Sequence, residues 1–406
     1  MENKRQIREK CNEFVRKMDT KPTVGVVCEY NPFHTGHARQ FSLIKEALPD
    51  AVIVCLMSGC FTQRGMPALF SPAFRARAAL RAGAAMVLEL PCAASVRDAE
   101  NFALGGVSIF DRLRFITHLS FGTENHDIHS LHTAAHTLEH PTAAFRDALQ
   151  DSLNEGKPFA AAQADGLVAA MDGTDASELF SRPNNILGIC YLRALKRLQS
   201  NIVALPVQRN GDYHSADLTQ DAFPSASAVR KAFLAGDIHA AESACGYPLQ
   251  TSAVHRPDAL DSVLLSAVRS MTPAALRRLP DCSEGLENRL QKYAAQATSR
   301  AQLLELLKTK RYTHARLNRL LTHALLGMRA KTLAKRPSYV RLLGFRKDCE
   351  TELALLNGSK IKVIAKASDG NRNNPLYRLD ERAYDLWALG AGLPAGLMYR
   401  QQIVIV

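Results

Sequence analysis

The stretch 23–40, TVGVVCEYNPFHTGHARQ, constrains what this chain can fold into more than any other part of it. Val24 to Cys28 is a short apolar run that reads as a buried strand. Tyr30-Asn31-Pro32 breaks it, because proline cannot donate to a ladder and asparagine favours turns. His34 and His37 then bracket Gly36, and Thr35 is the expected N-cap of a helix running to about Ala47. A strand feeding a glycine-containing turn that opens a helix aims free backbone N–H groups and a helix dipole at an anion. Two imidazoles at the same turn add donors near neutral pH. Histidines three apart are ordinary polar residues on their own. Their position after the first strand of an α/β pattern is what points to phosphate binding.

The pattern continues along the chain. Apolar runs at 51–57, 84–91, 114–122 and 202–210 read as further strands, separated by helical stretches at 73–82, 97–112 and 186–198. Such alternation predicts a parallel sheet with right-handed crossovers, an α/β class of Rossmann-like type. Active groups then belong on loops at the strands' C-terminal ends: His34 and His37, Gln63 and Arg64, and Gly122. Asn184-Asn185 opens the helix after Pro183, either as a cap or as a ligand contact. Ser225 and Ser227 with Arg230 at another helix start suggest a second anion site. Histidines 129, 132, 136 and 140 share a helix face in the helical stretch 129–171, but no carboxylate or cysteine pattern completes a ligand set. No protein metal site is expected.

Beyond about residue 238 successive amphipathic helices replace the alternation, and strand signal returns only at 360–366 and 402–406. The expected organisation is an N-terminal extension (1–21), a catalytic domain (22–238) and a mainly helical basic domain (239–406). The net charge of +12 calls for an anionic partner. Its placement says more: residues 308–347 hold twelve Lys and Arg and no Asp or Glu, with Tyr312, Tyr339 and Phe345 interleaved. That composition fits a nucleic-acid face, for which Arg316, Arg319 and Lys331 are the candidates, or else a solvated helical surface. No apolar run approaches the roughly 20 residues of a membrane span. The first 22 residues lack the apolar core of a secretory signal. The nine cysteines form no C-x-x-C pair and several sit in apolar surroundings, as expected of a reduced cytoplasmic protein.

H-x-G-H after the first strand, with Ser-x-Ser-x-x-Arg opening a later helix, resembles the nucleotidyltransferase superfamily. GVVCEYNPFHTGH, MSGCFTQRGMPA, ELP, FGTEN, RPNNILG and YHSAD–SASAVR follow the order and spacing of the bacterial tRNA(Met) cytidine acetate ligase family, as does PSYVRLLG at 337–344. The resemblance covers about residues 22–235 well and the rest more loosely. It implies that ATP and acetate give acetyl-adenylate, and that the acetyl group passes to the wobble cytidine of elongator tRNA(Met) as N4-acetylcytidine. It also implies an ATP loop formed by Val27, Cys28, Glu29, Tyr30, Asn31, Pro32 and Phe33, by the turn His34, Thr35, Gly36 and His37, and by Ala38, Arg39 and Gln40. Gly122, Asn185 and Arg209 are the further ATP contacts it implies. His34 and His37 would be the catalytic donors, Arg209, Ser227 and Arg230 would steady the far phosphates, and Mg²⁺ would accompany the triphosphate. No stable protein partner is expected. The chain departs from the pattern at Ala38, where a larger apolar residue is common, and at Cys92-Ala93-Ala94-Ser95, where aromatic residues are usual. Two other readings stay open: an adenylyltransferase making a nucleotide cofactor, which has no need of the basic helical region, and a nucleotide- or RNA-binding protein without catalysis.

Overall fold

The computed structural model describes residues 21–124, 128–171, 179–180, 182–208 and 224–406. Strands β1 (Thr23–Cys28), β2 (Val52–Ser58), β3 (Met86–Leu90), β4 (His118–Thr123) and β5 (Val203–Gln208) pair in parallel in the order β5-β4-β1-β2-β3. β2 and β3 are buried at every position, which is why they read as uninterrupted apolar runs. Helix α1 (Thr35–Ala47) and helix α2 (Pro72–Arg81) cover one face of the sheet. Helix α3 (Ala99–Leu113) covers the other with α4 (Ile128–Glu139) and α7 (Pro183–Arg197). Between α4 and α7 lie α5 (Ala143–Asn154) and α6 (Phe159–Ala170), so the long helical stretch expected after 129 is three helices.

Beyond β5 come α8 (Ala226–Leu234), α9 (Ile238–Cys245), α10 (Asp261–Arg269), α11 (Leu286–Ala294), α12 (Arg300–Leu307) and α13 (His314–Leu326). The chain then returns to the sheet. β6 (Tyr339–Phe345) pairs antiparallel with β3, and β7 (Lys362–Ile364) and β8 (Val404–Ile405) pair with β6. Over 339–345 no unbroken apolar run marks a strand. YVRLLGF is buried throughout, yet Arg341 within it hides the apolar run. Its charge is met by Glu89 of β3 at 2.6 Å.

Helices α12, α13 and α14 (Pro375–Gly390) grip the loop after β2. Trp387 donates from Nε1 to the Ala68 carbonyl at 2.6 Å, and Arg300 donates to the Gly65 carbonyl at 2.9 Å. Gly65 has φ +82°, and a Cβ there would stand 2.8 Å from the Arg319 backbone, so only glycine permits this contact. His323 Nε2 and the Val96 carbonyl are 2.9 Å apart, and Arg97 donates to the Leu333 carbonyl at 2.9 Å. The helical region therefore builds one wall around the β2 and β3 loops. Cys92-Ala93-Ala94-Ser95 is a buried single turn, held by the Cys92 N–H donating to Asp380 at 2.7 Å, and it does not line the cavity described below. Among the described residues no helix is long and apolar enough to cross a membrane.

Candidate active site

At the end of β1 the chain turns through Tyr30, which takes a left-handed φ of 48°. Its ring packs edge-on against Phe33 and His37, with centroids 4.9 and 4.8 Å away, and so fixes the turn from below. The helix cap is His34 rather than Thr35. Nδ1 of His34 accepts from the Gly36 N–H at 3.1 Å, and Nδ1 of His37 accepts from the His34 N–H at 3.2 Å. Thr35 instead donates to the Ala244 carbonyl at 3.1 Å. This reciprocal capping satisfies two orphan N–H groups at a helix start and is worth about 1 kcal/mol. It also sets the tautomer: a neutral ring that accepts at Nδ1 carries its proton on Nε2. Phe41 and Ile44 are buried on the other side of α1, and at about 1.5–3 kcal/mol each they hold the helix to the sheet.

Both histidines line an open cavity of about 600 Å³ at the C-terminal ends of β1 and β4. Val27, Cys28, Glu29, Tyr30, Asn31 and Gln40 of the expected loop also line it, as does Gly122. Pro32, Phe33, Thr35, Gly36, Ala38 and Arg39 shape or flank the turn without lining the cavity, and Arg39 pairs with Glu46 at 2.6 Å. Across the cavity α8 begins at Ser225, whose hydroxyl accepts from the Ala228 N–H at 3.0 Å. Ser225, Ser227 and Arg230 are all lining residues. Arg230 donates to the Asn31 carbonyl at 2.6 Å and to Ser227 Oγ at 3.0 Å, so its guanidinium bridges the two halves of the site. The histidine turn and the serine–arginine helix start, far apart in sequence, thus meet at one cavity. Arg209 lies outside the described residues.

Asn185 is buried: its Oδ1 accepts from Thr123 Oγ1 at 2.8 Å and from the Glu124 N–H at 3.0 Å. It fastens α7 to the end of β4, and its neighbour Asn184 is the one that lines the cavity. Gln63 and Arg64 both reach the rim, with Gln63 donating to the Arg97 carbonyl at 2.7 Å.

Three groups here take places that the sequence alone does not assign them. Arg75 is fully buried and donates to the carbonyls of Phe70 at 3.1 Å, Glu29 at 2.5 Å and Ser58 at 3.0 Å, and to that of Gly59. One guanidinium thereby ties the ends of β1 and β2 together. The signal was an arginine set among alanines in PAFRARAAL. Glu29 was one letter among the loop residues. It is the sole carboxylate lining the cavity among the described residues, and it accepts the Gln63 N–H. Burial raises its carboxyl above the usual range, opposed by that N–H and by Arg64, Arg230 and Arg75. The third is Tyr191 of α7, buried and lining the cavity beside Phe121, its hydroxyl without a hydrogen-bond partner among the described residues.

The basic tract is less uniform than its composition. Arg319 is buried and paired with Asp281 at 2.8 Å, which corrects its expected place on a nucleic-acid face. Arg316 donates to the Asp281 carbonyl at 3.2 Å and to Ser283 at 2.6 Å and lies over the Tyr312 ring. Tyr312, Tyr339 and Phe345 are core residues and offer no stacking surface. Lys331 is exposed, with Arg329, Lys335 and Arg336 beside it. Among the described residues no group of three or more metal-ligating side chains comes together.

A family model described as HIGH Nucleotidyl Transferase matches residues 21–395. A tRNA(Met) cytidine acetate ligase of Clostridium perfringens is 35% identical over 382 residues, covering 90% of this chain and 94% of that protein. One of Acetivibrio thermocellus is 32% identical over 94% of this chain and 99% of its own length. The crystal structure of apo TmcAL from Thermotoga maritima superposes with a TM-score of 0.85 at 26% identity, covering 95% of this chain and 99% of that one. The same protein bound with alpha-thio ATP gives a TM-score of 0.82. With that likeness spread along nearly the whole length, the chain belongs to the tRNA(Met) cytidine acetate ligase family.

Proposed function

We propose that this protein activates acetate with ATP and transfers the acetyl group to the wobble cytidine of elongator tRNA(Met), forming N4-acetylcytidine. The observation that carries this reading is the joining of the histidine turn and the Ser225–Ser227–Arg230 helix start at one cavity, in a chain of this family. Attack of a carboxylate on the α-phosphorus builds negative charge on the non-bridging oxygens and on departing pyrophosphate. Fixed donors meet that charge without having to reorganise. The Nε2–H groups of His34 and His37 are held by their own capping bonds and are suited to the phosphate oxygens. The α8 N-terminus with Ser227 and Arg230 is suited to the distal phosphates. With Glu29 as the one lining carboxylate among the described residues, Mg²⁺ would be held mainly by phosphates and water.

The second step needs RNA. The exposed cations Arg329, Lys331, Lys335 and Arg336 follow α13, which packs on the cavity's rim loop, and they form the candidate tRNA face. The test is to incubate the protein with ATP, a panel of short carboxylic acids and elongator tRNA(Met), and to read N4-acetylcytidine by mass spectrometry of the digested RNA. The reading expects product with acetate, dependent on ATP. Adenylation of a phosphorylated small molecule in place of the RNA product would favour a cofactor-making adenylyltransferase instead.

A further inference from the structure

The polar groups around the cavity are nearly all donors: His34, His37, Gln40, Arg64 and Arg230 suit an anionic ligand. Glu29 does not. A carboxylate at the edge of a phosphate site repels phosphate. Arg75 holds the backbone at residue 29 through the carbonyl rather than the side chain. The carboxylate is instead oriented toward the β2 loop by the Gln63 N–H. It faces a cavity lined also by Phe102, Phe121, Leu187 and Tyr191, the last with its hydroxyl buried. The Glu29 carboxylate is a proton acceptor that adenylation leaves unused.

The transfer step needs such an acceptor. The exocyclic amine of cytidine is a weak nucleophile, because its lone pair is delocalised into the ring. When it attacks an acyl carbon, the nitrogen must give up a proton. We propose that Glu29 is the base that takes this proton as the cytidine amine attacks the acyl-adenylate. The inference rests on the reading given above. The new bond joins the amine nitrogen to the acyl carbon, and the acyl carbon–oxygen bond to the phosphate breaks. That electron pair stays on AMP, and the proton moves from nitrogen to the Glu29 carboxylate and then to solvent. The charged and titratable groups around Glu29 are Arg64 on the β2 loop, Arg75 on α2, Arg230 on α8, Tyr191 on α7, and the two histidines of α1. Burial raises the carboxyl from its ordinary value, which strengthens it as a base, opposed by the Gln63 N–H and the three arginines.

The experiment compares the two half-reactions in the full chain. Acetate-dependent exchange of ATP with labelled pyrophosphate, without tRNA, reads the first. Single-turnover transfer from enzyme loaded with ATP and acetate to elongator tRNA(Met) reads the second. Glu29→Gln keeps the size and the acceptor for the Gln63 N–H. The expected result is a loss in transfer exceeding any loss in exchange by about 10²-fold or more, as removal of a general base gives. The rise of the wild-type transfer rate with pH should disappear in the variant, and Glu29→Asp should restore part of the rate and of the pH dependence. Equal losses in both steps, or a transfer rate within a few-fold of wild type with an unchanged pH profile, would overturn the role. Absence of acetate-dependent exchange in the wild type would instead overturn the reading beneath it.

Discussion

Glu29 follows β1 and Glu89 lies near the end of β3, with β2 between them, and burial raises the carboxyl of each above the usual range. Their surroundings differ in kind. Glu89 on β3 is closed in by Arg341 of β6 at 2.6 Å, and the Arg341 guanidinium lies 5.0 Å from the centre of the Tyr384 ring. Glu29 keeps one backbone N–H and an open cavity in front of it, with its arginines acting through space. Burial alone therefore does not mark a working carboxylate. What marks it is whether the counter-charge seals the group or leaves one side to a ligand. Glu89 and Arg341 join the returning C-terminal strand to the parallel sheet, and nothing small can reach them.

The largest expected effect breaks the sealed pair. Arg341→Met leaves Glu89 as an uncompensated buried charge and should cost about 3–5 kcal/mol in urea denaturation. Glu89→Leu added to it should recover much of that loss. A single change costing under about 1 kcal/mol would mean that the pair is not sealed. At the open site the order reverses. His37→Ala should lower adenylate formation by about 10²–10³, while costing the fold only about 1 kcal/mol for the lost cap.

The sealed region should also respond to pH. Burial, with Glu89 beside it, pushes Asp380 up to about 7 from 3.8. Across that window the folded state binds more protons than the unfolded one, so this group's contribution falls as pH rises. Asp380→Asn should remove that part of the slope, read as urea midpoints on either side of the window. An unchanged slope would place the titration elsewhere. The smallest effect concerns the RNA face. Lys331→Gln should flatten the dependence of log affinity for tRNA on log salt by about one unit, whereas Arg319→Gln should leave it alone. The opposite ranking would put the buried arginine on the RNA.

This contrast also explains what was legible in the sequence. The parallel strands and the histidine turn could be read because their signals are local: unbroken apolar runs, a turn and a helix start. The sheet rule reached residues 34–37 but not 225–230, which read by themselves as a second anion site and were joined to the histidines only through the family resemblance. The tract 308–347 could not be read from charge counts, because the partners of its inward arginines are Asp281 and Glu89, far away in sequence. Arg75 and Tyr191 were missed for the same reason. Each is ordinary within its own helix, and only the assembled strand ends give it a role.

Acetate-dependent exchange between ATP and labelled pyrophosphate, measured without tRNA on wild type and on His37→Ala, tests the central claim most directly. Donors held at the end of β1 for activating a carboxylate predict exchange that requires acetate and falls by about 10²–10³ in the folded variant. Exchange of wild-type magnitude in His37→Ala would contradict it.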